Sequence, residues 1–173
     1  NPDDTFKIKD YTFTLDTASE FATMPFTFGE EWEANGYTAK SFVGIITMMA
    51  SKDSFIDLTY ATGIKFKTRS RNPLHVIFRV ETFDIIQDST YGFYQYEFLT
   101  SDSWENVEIN FADLRQPTWA KKVDFDQTKI SQINWVIQKE DNPSTSSDTF
   151  DIDDIFIMDF NNEPPPELLI DDF

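Results

Sequence analysis

The chain has no cysteine, one histidine, five glycines and only 14 basic residues in 173. Without cysteine there is no disulfide framework, no thiol nucleophile and no thiolate zinc site. The compartment stays open on that ground, because a domain of this size can be stable without cross-links. The few glycines form neither a G-x-S-x-G elbow nor a phosphate-cradling loop. No apolar run approaches the ~20 residues needed to span a bilayer, and no long segment holds a helical period. Basic residues are outnumbered by 31 carboxylates, for a net charge of −17. Phosphate backbones and anionic membranes are therefore poor partners. The densest basic group is only Lys65, Lys67, Arg69 and Arg71. A neutral polymer is not repelled.

What is abundant is aromatic and β-branched. There are 18 Phe, 6 Tyr and 4 Trp, a composition suited to pleated, half-buried surfaces. Leu74, Val76, Phe78 and Val80 alternate with His75, Ile77, Arg79 and Glu81. Val107, Ile109 and Phe111 alternate with polar residues, and Ile133, Trp135 and Ile137 with Asn134, Val136 and Gln138. Period two puts each set on its own face. Phe150, Ile152, Asp154 and Phe156 are expected to share a side. Further runs at 6–14, 24–33, 41–49, 62–69 and 91–100 bring the count to about ten strands. Asn35-Gly36, Arg71-Asn72-Pro73, Asp88-Ser89-Thr90 and residues 141–148 supply turns. The expected fold is all-β, a two-sheet sandwich or jelly roll. A short turn near 111–116 is the best helical candidate.

Residues 1–160 read as one domain. Residues 161–167 are Asn-Asn-Glu-Pro-Pro-Pro-Glu, a semi-rigid linker composition. Residues 168–173 then read as the start of a further module or as a tail docking back. The chain opens on Asn1, as an excised fragment would, so a targeting segment is expected to lie outside it.

Catalytic groups are hard to find. His75 sits mid-strand on the face opposite the core set. A pair of acidic catalysts cannot be chosen from so many carboxylates. The expectation is a binding module, not an enzyme. Asp151-Ile152-Asp153-Asp154 offers hard oxygen ligands suited to calcium, with Asp153 and Asp154 as candidate ligands, but lacks the Gly and closing Glu of an EF-hand. Solvated charge at a strand edge is the alternative. Trp104 and Trp135 read as structural. Trp32, Tyr37, Tyr91 and Trp119 neighbour turns. Sugar rings have apolar C–H faces and polar edges, so an aromatic beside amide, carboxylate and guanidinium groups suits them. Arg115 and Trp119 share one irregular segment, and loops on a rigid sandwich often bind ligands; the other reading of Trp119 is a plug at the sandwich end. If residues 74–83 and 91–99 form a hairpin, Arg79, Glu81, Gln95 and Glu97 make one patch with Tyr91 nearby. Asn134 and Gln138 extend it.

The series Trp104-x-x-Val107-x-Ile109-x-Phe111-x-x-Leu114, then Ile130-x-x-Ile133-x-Trp135-x-Ile137, then Phe150-x-Ile152-Asp153-Asp154-Ile155-x-Ile157 resembles the C-terminal half of family 11 carbohydrate-binding modules. These are jelly rolls of the galactose-binding-like superfamily. Phe42-Val43-Gly44-Ile45 is similar to an earlier strand of the family, and the likeness spans about residues 40–158. Ile170-Asp171-Asp172-Phe173 resembles the family's opening strand, which implies tandem modules. The resemblance implies a concave sheet face binding cellulose-type or mixed-linkage β-1,3-1,4-glucan. It further implies attachment, as a monomeric module, to a secreted glycoside hydrolase acting on plant cell-wall polysaccharide. Structural calcium near Asp153, and Arg115 with Trp119 as a ligand loop, belong to the same implication. Ile137 departs from the family by standing where an aromatic can occur. A structural or adhesive sandwich domain of a cell-surface protein, without sugar binding, is the other functional class considered.

Overall fold

The alternating runs become antiparallel strands. The computed structural model describes residues 14–16, 21–34, 37–49, 54–87 and 92–160. Eleven strands occur among them: β1 (Thr14–Asp16), β2 (Phe21–Thr27), β3 (Trp32–Ala34), β4 (Tyr37–Ala39), β5 (Phe42–Met48), β6 (Gly63–Ser70), β7 (His75–Thr82), β8 (Tyr94–Leu99), β9 (Glu105–Asn110), β10 (Ile130–Gln138) and β11 (Ser147–Met158). A five-stranded sheet runs β1-β2-β11-β6-β9 and a four-stranded sheet β5-β10-β7-β8, with β3 and β4 paired apart. The result is the expected all-β, two-sheet jelly-roll sandwich. The expected turn near 111–116 appears as a 3-10 turn at Phe111–Asp113. The helix α1 (Phe83–Gln87) and the 3-10 turn at Gln127–Lys129 are too short to leave a helical period in the sequence, and neither was expected.

The core lies between the sheets. Leu74, Val76, Phe78 and Val80 of the β7 segment and Ile133, Trp135 and Ile137 of β10 are all buried. They meet Ile64 and Phe66 of β6, Ile109 of β9, and Phe150 and Ile152 of β11. Phe66 stands edge-on to Trp135 at 5.3 Å between centroids, and Phe78 lies 5.5 Å from the same indole. Burying each large apolar side chain contributes about 1.5–3 kcal/mol, so this cluster dominates cohesion. Ile137 is fully buried and faces inward, so its departure from an aromatic affects packing and not the outer surface.

The turn at Arg71-Asn72-Pro73 carries the chain from one sheet to the other. Asp148 fixes it by accepting from the backbone N–H of Arg71 and Asn72 and from Asn72 Nδ2, at 3.1, 3.2 and 2.7 Å.

Two expectations fail. The run 24–33 divides into β2 and β3. The shared side expected for Phe150, Ile152, Asp154 and Phe156 breaks at a bulge. The register of β11 on β6 shifts between Asp153 and Phe156, and Asp154 adopts φ 48°. An extra residue in one strand reverses the facing of the residues beyond it. Ile157 therefore stands opposite core residue Ile64, while Phe156 stands opposite the outward Lys65 and is exposed. The expected strand over 6–13, the turn residues Asn35-Gly36 and Asp88-Ser89-Thr90, Tyr91, the linker at 161–167 and residues 168–173 lie outside the described residues.

Candidate functional site

The outer face of the four-stranded sheet gathers most of the expected binding residues. Directly opposed residues in a ladder share a face. Asn134 stands between Ile46 and Arg79, Arg79 opposes Gln95, and Gln95 bridges to Arg115. Four expected site residues thus form one row across the sheet. The next row is Met48, Gln132 and Glu81, and on the other side lie Gly44, Val136, Ile77 and Glu97. Gln138 opposes Phe42 at the far end of β10.

This face is not fully wet. Glu81, Asn134, Ile77 and Val136 are buried although they point away from the core. Gln132 Nε2 donates to Glu81 Oε2 at 2.5 Å, and Asn134 Nδ2 donates to Glu81 Oε1. Burial pushes the Glu81 carboxyl above its usual range, against the pull of these two amides and of the Arg79 charge. Burial likewise holds the Arg79 guanidinium below its usual range, opposed by Glu81 and Asp141. Removal from water disfavours the charged form of both. With its amide turned to satisfy both ends, Gln138 accepts from Arg79 Nη2 at 3.2 Å and donates to Glu140 at 3.1 Å.

Three buried polar atoms on this face have no hydrogen-bond partner among the described residues: Arg79 Nε, Asn134 Oδ1 and His75 Nδ1. His75 Nε2 lies 3.2 Å from Glu97, and its Nδ1 is 3.9 Å from Asp141. Asn142 fixes that end of the face. Its Oδ1 accepts from His75 N, and its Nδ2 donates to the carbonyls of His75 and Gln138, at 2.8, 3.0 and 2.9 Å. An orphaned buried group costs about 1–3 kcal/mol. This site thus holds a donor and acceptors suited to a ligand that both gives and takes hydrogen bonds.

One wall of the site was not among the expected residues. Phe42, Ile46 and Met48 project outward from β5 and are 65, 61 and 55% exposed. The signal was present: Phe42-Val43-Gly44-Ile45-Ile46 is apolar on both alternating sets, the mark of a strand whose outer face is also apolar. Val136 and Ile77 continue that surface as a floor beside the polar rows.

Arg115 also has a local attachment. Its Nη1 donates to the carbonyls of Ala112 and Leu114 at 2.5 and 2.7 Å, so that end of the guanidinium holds the 3-10 turn. Trp119 stands out from a turn closed by Ala120 N donating to Pro117 O at 3.0 Å, and at 71% exposed it plugs nothing. Gln116 anchors this loop from beneath. Its Nε2 donates to Gly92 O at 2.6 Å, and its Oε1 accepts from Val123 N at 3.0 Å. A Cβ on Gly92 would sit 2.2 Å from that of Ala120, so the loop rests where only glycine fits. Of Trp32 and Tyr37, the structure describes the backbone, in β3 and β4.

The acidic pair lies on the other sheet. Asp154 is ion-paired with Lys67 at 2.6 Å, and Asp153 Oδ1 accepts from the backbone N–H of Asp154 at 2.8 Å. Among the described residues no group of three or more His, Asp or Glu side chains converges as a metal site. Calcium prefers six to eight oxygens, so Asp153 and Asp154 do not by themselves fit the ion.

Solved structures share this architecture. The fold is that of carbohydrate-binding modules. A family 11 module from Clostridium thermocellum, solved in complex with a β-1,3-1,4-mixed-linked tetrasaccharide, superposes with TM-score 0.55 at 14% identity, over 80% of this chain and 75% of that one. A family 30 module of a cellulosomal cellulase of Clostridium thermocellum gives TM-score 0.54 at 14% identity, covering 86% and 83%. No protein-family profile and no curated protein matches the sequence.

Proposed function

We propose that this chain is a non-catalytic carbohydrate-binding module that grips a β-glucan chain across the outer face of β5, β10, β7 and β8. The observation that carries the reading is the buried, unpartnered Arg79 Nε and Asn134 Oδ1 beside the Glu81 carboxylate, each oxygen of which accepts one amide N–H. A sugar hydroxyl donates and accepts at once, so one ring edge answers both orphaned atoms. Phe42, Ile46 and Met48 offer the C–H face of the ring an apolar wall. Each sugar contact contributes about 0.5–1.5 kcal/mol, and a short row of them gives micromolar binding, roughly −8 kcal/mol. The mixed-linkage tetrasaccharide held by the family 11 neighbour supports a β-glucan as the ligand class.

In this reading the module is secreted and steers an attached glycoside hydrolase to plant cell-wall polysaccharide. The proline-rich segment at 161–167, with the Ile170-Asp171-Asp172-Phe173 echo of an opening strand, supports a multidomain, tandem parent. Affinity electrophoresis through gels containing mixed-linkage glucan, xyloglucan or a soluble cellulose derivative tests the reading. Retarded migration without release of reducing sugar is expected. Unretarded migration in every gel overturns it.

A further inference from the structure

The bulge in β11 does more than shift the register. A straight strand would carry Phe156 to the same side as Phe150 and Ile152, into the core. Instead Asp154 takes φ 48°, and Phe156 emerges on the outer face of the five-stranded sheet, 53% exposed. Bulges of this kind re-aim side chains beside functional sites, and a non-glycine residue at positive φ is held there by its surroundings. The re-aimed ring borders an open cavity of about 350 Å³, also lined by Lys65, Lys67, Asn106, Glu108 and Asp154. Phe156, Lys65 and Glu108 form one cross-strand row, with Lys67 opposite Asn106 in the next but one position along the strands. Lys65 Nζ lies 5.4 Å from the Phe156 centroid, and Lys67 closes one end in its ion pair with Asp154.

We propose that this cavity is a second saccharide site, on the opposite sheet from the cleft and independent of it. The lining carries two ammonium groups, Lys65 and Lys67, and two carboxylates, Glu108 and Asp154, so neither an anion nor a cation is favoured. What remains is an apolar ring among intermixed donors and acceptors, the chemistry that a neutral sugar ring meets with one C–H face and a rim of hydroxyls. The volume falls at the small end of ligand sites, about 300–1,000 Å³. Phe156 stacks on the sugar face, and Lys65, Asn106 and Glu108 meet hydroxyls. A module with sites on both sheets holds two chains at once, and linked sites raise retention on a polymer well beyond either site alone.

Amide chemical shifts followed by NMR separate the two sites, with mixed-linkage glucan, xylan and mannan hexasaccharides as probes. Amides of β6 and β9 are expected to shift with a midpoint different from those of β7 and β10. Phe156→Ala should weaken the β6–β9 response about tenfold, a loss of about 1.4 kcal/mol, and leave the β7–β10 response intact, while Phe156→Tyr keeps both. In Arg79→Ala protein the β6–β9 response should persist. Still amides on β6 and β9 beside moving ones on β7 and β10 overturn the second site and leave the cleft standing. A β6–β9 response unchanged in Phe156→Ala overturns it as well. Silence at both faces with all three probes overturns both sites.

Discussion

Arg69 and Arg79 occupy matching places. Each points outward from the second strand in from an edge, β6 in one sheet and β7 in the other. Their surroundings are opposite. Arg69 Nε donates to Asp151 at 2.8 Å, and Thr23 Oγ1 donates to the same carboxylate at 2.9 Å. Its guanidinium lies 4.6 Å from the Trp104 centroid and 5.1 Å from that of Phe21. Arg79 has an unpartnered Nε and a carboxylate neighbour, Glu81, that is bonded to amides and not to it. An arginine bonded to a buried carboxylate and flanked by two rings ties strands together. One whose Nε is buried without a partner carries a cost in the free protein that a ligand can remove. In the proposed function, the contrast sets a charge used for cohesion against one left open to a ligand.

The largest expected effect breaks the comparison directly. Arg79→Ala should reduce glucan affinity by about 3 kcal/mol, more than a hundredfold, because it strips the central row of its charged donor, and hydrogen bonds to charged groups are the strong ones. Calorimetry on a soluble mixed-linkage glucan reads this, and an affinity within twofold of the parent would remove Arg79 from the site. Arg69→Ala should do the converse. It costs about 2 kcal/mol of stability by leaving Asp151 buried without its cation and dissolving the aromatic clamp, with glucan affinity unchanged. Urea unfolding beside the same calorimetry checks both halves, and lost affinity with intact stability would reverse the assignment of the two arginines.

Glu81→Gln sharpens the contrast through pH. A carboxyl whose folded pKa is raised favours the folded state while protonated, and that contribution is lost as pH rises from the ordinary carboxylate range through the raised value. The variant escapes this loss. Its melting temperature should therefore exceed the parent's at neutral pH, and the gap should close as the pH falls into the acid range. A gap that is constant with pH would show that burial does not govern Glu81. The smallest effect is at the periphery. Trp119→Ala should lower glucan affinity by about 1 kcal/mol and leave the melting temperature untouched, since the ring packs on nothing it must support. Unchanged affinity would limit the site to the sheet face.

Facing was legible in the sequence, and register was not. The alternation from Leu74 to Glu81 and from Ile133 to Gln138 put Arg79, Glu81, Asn134 and Gln138 on one side of their strands. That these fall into rows with Gln95 and Arg115 depends on long-range pairing, for which one chain carries no local signal. Trp135 was legible as core because it sits within a strict apolar set. The bulge at Asp154 was not, because an aspartate in a left-handed conformation looks like any other aspartate. The shelter of Glu81 and Asn134 was hidden too, since strand period reports facing and says nothing of what covers the outer side. The Phe42, Ile46 and Met48 wall was visible in composition but lacked a geometry to give it meaning.

The loop bearing Trp119 is held by Gln116 from below and seated on Gly92, so its foundations do not involve the residue at its tip. Such a mounting works as an interchangeable head. Position 119 can be varied across all side chains, by selection or by design, with the sandwich serving as an unchanging handle. A library confined to this turn should therefore yield folded variants that differ in the sugar they prefer.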